Sequence, residues 1–338
     1  MKVSFTFNSS LKFRIKVALF LFITGLTITI LFEILNPFPS RTGGGYRNKH
    51  VVMKNSWIKD LPEVVHLNYN NVGYFGEDWS DTIRRKKILF IGSSTTLSHI
   101  IPHELSWSSQ AVKGLSVWYN NAGIDGSGIN EWMEEVKKTK TLNPDYIIVF
   151  VNPFHDAFPG ISKPINRQHA SSNFFMNLVL VQSVIKPVYL SMLPQNREIG
   201  HKKINWRDYP TQQALYPASF NFVYDRSMEK LNELTNQILA IGAKPIFISH
   251  PTPFGNYKNE DGIDFSSLKG SVEKDALHQQ FNVLLKQNSA KNHIHYINGY
   301  ELEKSSDWFY DHAHFNLKGS AAFGKLVQRE LVKIMALH

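Results

Sequence analysis

Apolar runs and amphipathic stretches alternate along most of the chain. Lys87–Ile91 (KILFI) is a short apolar run ending at Gly92, and Val117–Asn120 is a second short strand. Ile129–Lys140 sets Trp132 and Val136 among charged residues at helical spacing. Tyr146–Val151 (YIIVFV) follows Asn143-Pro144-Asp145 and has the β-branched character of a buried strand. Met228–Ile241 aligns Leu231, Leu234, Ile238 and Leu239 on one helical face, with Gly242 at the C-cap position. Lys244–Ser249 is the next strand, Val272–Lys286 a helix, His293–Ile297 a last strand and Asn316–Leu337 a closing amphipathic helix. Strands alternating with helices predict an α/β fold in which helices cover both faces of a parallel sheet, a three-layer α/β/α sandwich.

Two segments depart from this rhythm. Val17–Leu35 (VALFLFITGLTITILFEIL) carries a single charge, Glu33, and as a helix reaches roughly 28 Å, close to a bilayer core. Lys2, Lys12, Arg14 and Lys16 precede it without an acidic residue, which predicts a signal anchor with residues 1–16 in the cytoplasm and the rest outside. No small-x-small cleavage site follows, as a removable signal peptide would require. Residues 36–85, beginning with the Pro/Gly-rich stretch Asn36–Gly45, read as a linker and lead-in to a domain over 86–338. The interval 157–222 is too long for a βα connection. It reads either as a helical insertion with its own small core around Phe174–Ile185, or as a lid that presents Trp206, Tyr209, Tyr216 or Phe220 to a substrate.

Composition narrows the chemistry. With 338 residues and 43% hydrophobic content the chain can bury a large core. The net charge of +9 is spread too thinly to predict a nucleic-acid partner. The absence of cysteine removes disulfides, thiol nucleophiles and thiolate metal sites.

Four blocks remain as candidates. Ile91-Gly92-Ser93-Ser94-Thr95-Thr96 puts Ser94 just after a strand and before a helix, as a nucleophile or simply a cap. It is not a G-x-S-x-G elbow, and no dinucleotide or Walker motif is present. Asn121–Gly128 (NAGIDGSG) is glycine-rich, permitting either close approach to a ligand or a tight turn. Asn152, at the mouth of the third strand, is an oxyanion donor or a turn former. Asp311-His312-Ala313-His314 spaces a carboxylate and an imidazole as a general base requires. His312 and His314 are an alternative metal pair, but no third ligand lies nearby in sequence.

Together, in this order and at these strand ends, the blocks resemble the SGNH/GDSL hydrolase family, particularly its membrane-anchored bacterial members with a G-x-S-T-T first block. The resemblance covers roughly Lys86 to the C-terminus and implies a flavodoxin-like sheet. It implies Ser94 as nucleophile, Asp311 and His314 as orienter and base, and the Ser94 amide, Gly126 and Asn152 as the oxyanion hole, with no cofactor or metal. His314 rather than His312, His295 or His250 is the base, because Asn316 and Gly319 follow it at the family's spacing. Ser93, Phe150 and Pro153 depart from the family's aspartate, glycine and aspartate. The expected activity is a serine esterase, or an acyltransferase using the same machinery, acting on an acyl ester of an extracytoplasmic polysaccharide. The alternatives are a lipid esterase and an inactive SGNH domain that binds glycan.

Overall fold

In a computed structural model the described residues are 9–35, 47–55, 61–98, 100–153, 156, 196–198, 220–268 and 270–336. The chain divides into two compact units. The described part of the first is helix α1 (Ser9–Leu35). Its apolar side chains Leu19, Phe20, Leu21, Phe22 and Ile23 are all exposed, and Thr27 returns its hydroxyl to Ile23 O at 2.8 Å. Among the described residues no helix is long and apolar enough to cross a membrane. The backbone of α1 covers the expected span Val17–Leu35, but the side chains described within that span end at Ile28.

The second unit, Arg41–Pro164 with Gln195–His338, is built on a six-stranded sheet in the order β3-β5-β4-β6-β8-β9. Its strands are β3 (Phe75–Gly76), β4 (Lys86–Gly92), β5 (Val117–Asn121), β6 (Tyr146–Val151), β8 (Lys244–Ser249) and β9 (His295–Ile297). β4, β5, β6, β8 and β9 are mutually parallel, and only the two-residue edge strand β3 runs antiparallel. Leaving β3 aside, chain order across the sheet is 2-1-3-4-5, the flavodoxin-like arrangement.

The period of two along each strand sorts the core into two layers. Leu89, Ile91, Ile147, Val149 and Phe247 face one side. There they pack against α4 (Ile129–Thr139), α5 (Phe220–Ala240) and α6 (Ser271–Lys291) through Trp132, Leu231, Leu234 and Phe281. Ile88, Phe90, Ile148, Phe150 and Ile248 face the other, against α3 (Trp107–Val112) and α7 (Leu317–Ala336) through Trp107, Phe323 and Val327. The sandwich expected from the alternation is thus the observed fold of this unit.

Two boundaries differ from the sequence reading. The lead-in segment is not only a linker: β1 (His50–Lys54) and β2 (Val64–Asn68) form an antiparallel pair, joined on the other edge by β7 (Asn196–Glu198) from within the expected insertion. This small sheet buries Met53, Val65 and Leu67 in a cluster with Ile100 and Ile101, against Leu97 and Tyr310. Helix α5 begins at Phe220, inside the interval assigned to the insertion and eight residues before the expected start at Met228. The stretch Phe174–Ile185 and residues Trp206, Tyr209 and Tyr216 lie outside the described residues.

Candidate active site

The four blocks meet at the carboxyl edge of the sheet. β4 is followed by α3 on one face and β6 by α5 on the other, so a crevice opens between the ends of these neighbouring strands. β4 ends at Gly92, where a Cβ would lie 2.0 Å from Thr96 Oγ1 and 3.0 Å from Phe150 O, so only glycine lets the two strands and the turn close up. Ser93 then caps the short helix α2 (Ser94–Leu97). The Thr96 and Leu97 amides donate to Ser93 O, leaving the Ser94 amide ahead of the first intrahelical donor. The turn is braced from behind by Trp107, which donates from Nε1 to Thr95 O at 2.9 Å.

The second block is laced onto this turn. Ile124 N–H donates to Gly92 O at 2.9 Å, and Asn121 Nδ2 donates to Thr96 O at 2.6 Å. Gly126 has φ +59°, in the left-handed region that a side chain disfavours. Asn152 follows β6, buried, and so flanks the Ser94 turn on the side opposite Gly126.

The fourth block forms a tight loop ahead of α7. Asp311 Oδ1 accepts from Ala313 N–H at 2.9 Å and His314 N–H at 2.7 Å, and Oδ2 lies 2.8 Å from His314 Nδ1. An ionised carboxylate only accepts, so Nδ1 carries the ring proton and Nε2 the lone pair. Nε2 lies 2.8 Å from Ser94 Oγ. The Ser94 hydroxyl therefore donates to a base whose tautomer Asp311 sets. Tyr310 stacks on the His314 ring at 5.4 Å. Burial, with Asp311 and Asp125 nearby, holds its phenol well above the usual tyrosine range, so it stays neutral.

The structure therefore brings Ser94, His314 and Asp311 into one hydrogen-bonded chain and sets Gly126 and Asn152 in the connections that leave β5 and β6, the strands either side of β4. His314, not His312, is the imidazole hydrogen-bonded to Ser94 Oγ; His312 is half-buried, and His295 lies on β9. Among the described residues there is no cluster of three or more His, Asp or Glu side chains placed to hold a metal.

Two further buried groups stand at the site: Asp156, which the sequence did not single out, and His250, which it named only to set aside as the base. Asp156 accepts from Asn152 N–H at 2.7 Å and returns its own N–H to Asn152 O at 2.9 Å. Burial pushes its carboxyl up to about 7, against the Asn152 amide and the Ser93 hydroxyl, which favour the ionised form. His250, just past β8, donates from Nε2 to Ala313 O at 2.9 Å, and burial lowers its pKa to about 3. Its ring stacks on Phe150, which accounts for the bulk at that position: Phe150 points into the α3/α7 layer, away from the crevice. The available signal was modest: a histidine ending an apolar strand, and a lone acid four residues after Asn152.

No protein-family model matches this chain, and no curated protein does. Solved structures do. An acetylxylan esterase from Geobacillus stearothermophilus (a catalytic mutant) is 12% identical over 73% of this chain and 94% of its own, with a TM-score of 0.44. A GDSL-like lipase from Bacteroides thetaiotaomicron is 12% identical over 74% and 89%, with a TM-score of 0.40. A member of the lipolytic G-D-S-L family from Veillonella parvula is 12% identical over 74% and 98%, also at 0.40.

Proposed function

We propose that this chain is a membrane-anchored serine esterase of the SGNH/GDSL type. The observation that carries the reading is the hydrogen-bonded chain Ser94 Oγ–His314 Nε2–Asp311 at the carboxyl end of β4. As Ser94 Oγ attacks an ester carbonyl carbon, its proton passes to His314 Nε2 and the carbonyl oxygen takes the negative charge. Asp311 stabilises the imidazolium through Nδ1–H. The Ser94 amide, the Gly126 amide and the Asn152 side chain are the donors assigned to the oxyanion; loss of one such donor typically costs on the order of 100-fold or more. Collapse breaks the bond to the alcohol, which leaves with the proton from His314, and Ser94 holds the acyl group. Water, deprotonated by the same Nε2, then releases the acid and regenerates Ser94. If a sugar hydroxyl takes the place of water, the product is a transferred acyl ester.

Helix α1 supports the anchor. Five consecutive exposed apolar residues, Leu19–Ile23, cover more than a full turn, so over that turn the helix is apolar on every side, and the Thr27 hydroxyl is satisfied within the helix. Export of the 86–338 domain is favoured by Lys2, Lys12, Arg14 and Lys16, which precede the apolar run Val17–Leu35. An acyl ester on an extracytoplasmic polysaccharide is the substrate class that this topology and the family resemblance favour. The intact Ser94–His314–Asp311 chain favours an active enzyme over an inactive glycan-binding domain.

The test is labelling of the full-length protein with a fluorophosphonate, together with hydrolysis of p-nitrophenyl acetate, using Ser94→Ala as the control. Labelling and turnover that both vanish in the variant support the reading. A wild-type protein that is folded yet neither labels nor turns over the ester favours the binding module.

A further inference from the structure

We propose that His250 is a positioning residue that clamps the peptide carrying the catalytic imidazole. The inference rests on the esterase reading for its kinetic consequence, but the clamp itself is a matter of geometry. The peptide unit between Ala313 and His314 is planar and trans, so its C=O and N–H point in opposite directions. At one end His314 N–H donates to Asp311 Oδ1 at 2.7 Å. At the other, Ala313 O accepts from His250 Nε2 at 2.9 Å. The two bonds fix the rotation of that plane, and the His314 side chain springs from the Cα at its edge. Its Nε2 must reach Ser94 Oγ, now 2.8 Å away, from a loop that has no regular secondary structure of its own.

The environment of His250 shows what its nitrogen is for. The ring is 1% exposed and packs against both Phe150, at 4.8 Å and 25°, and Phe315, at 5.8 Å and 11°, in a three-ring cluster whose two phenylalanines lie 6.4 Å apart. Nδ1 is buried and makes no hydrogen bond of good geometry, with only the Pro251 backbone acting on the ring as a hydrogen-bonding group besides Ala313 O. A phenylalanine would fill this aromatic stack without leaving a buried polar atom unpaired, which ordinarily destabilises a core. What histidine adds is one N–H, aimed at Ala313 O. A carbonyl only accepts, so the ring is the neutral Nε2–H tautomer.

Two substitutions separate the donor from the packing. His250→Phe keeps the stack and deletes the donor. His250→Gln places an amide Nε2 at similar reach and forgoes the stack. Both are measured in the full-length protein in detergent, with kcat per fluorophosphonate-titrated site. We expect His250→Phe to lower kcat by about 10- to 100-fold, the usual cost of a small misplacement of a catalytic group, with KM for a small acetyl ester within about twofold. We expect His250→Gln to recover kcat to within a few-fold of wild type while melting at a lower temperature than His250→Phe. A residue that acted only through stability would give the same order for activity and melting. The Nδ1–H proton resonance of His314, which requires no turnover, should broaden by exchange with water in His250→Phe alone. Wild-type kcat in His250→Phe, or a glutamine variant no better than phenylalanine, overturns the clamp. If wild type hydrolyses no ester, the esterase reading fails separately and the resonance decides the clamp: an unchanged signal in His250→Phe refutes it.

Discussion

Asp156 and His250 give the fold two opposed pH dependences, and replacing Asp156 with asparagine should expose one of them. Asp156 has its carboxyl raised by burial from an ordinary 3.8 to about 7. Between these values the folded chain holds a proton that the unfolded chain has released. Asp156 therefore contributes stability that is fully present below about pH 4 and is lost as pH rises through about 7. At about 1.4 kcal/mol per pH unit, this interval amounts to about 4 kcal/mol. His250 works the other way. Lowered by burial from 6.5 to about 3, it contributes stability that is present above about pH 6.5 and lost as pH falls toward 3, a comparable amount. His103, lowered by burial to about 4, adds to the same side. Across about pH 4 to 6.5 the two histidines outweigh the one acid, so these three groups together leave stability rising by about 1.4 kcal/mol per pH unit. Asp156→Asn removes only the acid's share. Near pH 4 the variant should match wild type, because the native carboxyl is then protonated and isosteric with the amide. By about pH 8 it should be more stable by as much as about 4 kcal/mol, an upper bound since a buried site relaxes around a charge. Chemical denaturation of both proteins at a series of pH values, read by tryptophan fluorescence, gives the difference directly. A variant-minus-wild-type difference that stays constant from about pH 4 to 8 would refute the assignment of a protonated carboxyl behind Asn152.

Further outcomes are expected. Ser94→Ala and His314→Ala should each reduce ester hydrolysis by about 10³-fold or more, while His312→Ala stays within a few-fold of wild type, as steady-state kinetics with a small acetyl ester will show. Gly92→Ala should cost about 1–3 kcal/mol and lower kcat as well, because its Cβ would fall 2.0 Å from Thr96 Oγ1 and 3.0 Å from the backbone oxygen of Phe150; a melting curve with wild-type midpoint would contradict that contact. Protease added to intact spheroplasts should digest the chain beyond residue 45, and protection until lysis would overturn export.

The sequence made the central strands legible because they are continuous apolar runs: β6 and β8 occupy the expected residues, and β4 is longer by one residue at each end. Edge elements were less readable. β2 does alternate, with Val65 and Leu67 inward and His66 outward, but it lies behind a Pro/Gly-rich stretch and pairs with a five-residue strand, so the pattern was too short to stand out. β3 has two residues and β7 three, lengths at which hydrophobic periodicity carries no information. The candidate site divides along the same line. Asp311 and His314 announce themselves because they stand three positions apart. Ser94 and Asn152 do so because each ends a recognisable strand. His250 and Asp156 owe their place to tertiary packing that no local spacing records. The sequence could not tell whether the bulk of Phe150 blocks the crevice. Its inward-facing register on β6, opposite Gly92 on β4, sends the ring into the helical layer instead.

The hydrogen bond between Ser94 and His314 joins residues 220 apart in sequence. The loop that carries His314 is held by α7, which packs along α3 and supplies Phe323, Leu326 and Leu331 to the buried layer. The serine is synthesised 220 residues before its base, so the sheet between them and α7 must be made and docked before the hydroxyl has a proton acceptor. For the exported esterase proposed here, this ordering is a form of timing: a chain stalled in transit, clipped ahead of α7, or with α7 undocked carries a serine no more reactive than any other, and hydrolytic activity appears only with the completed fold.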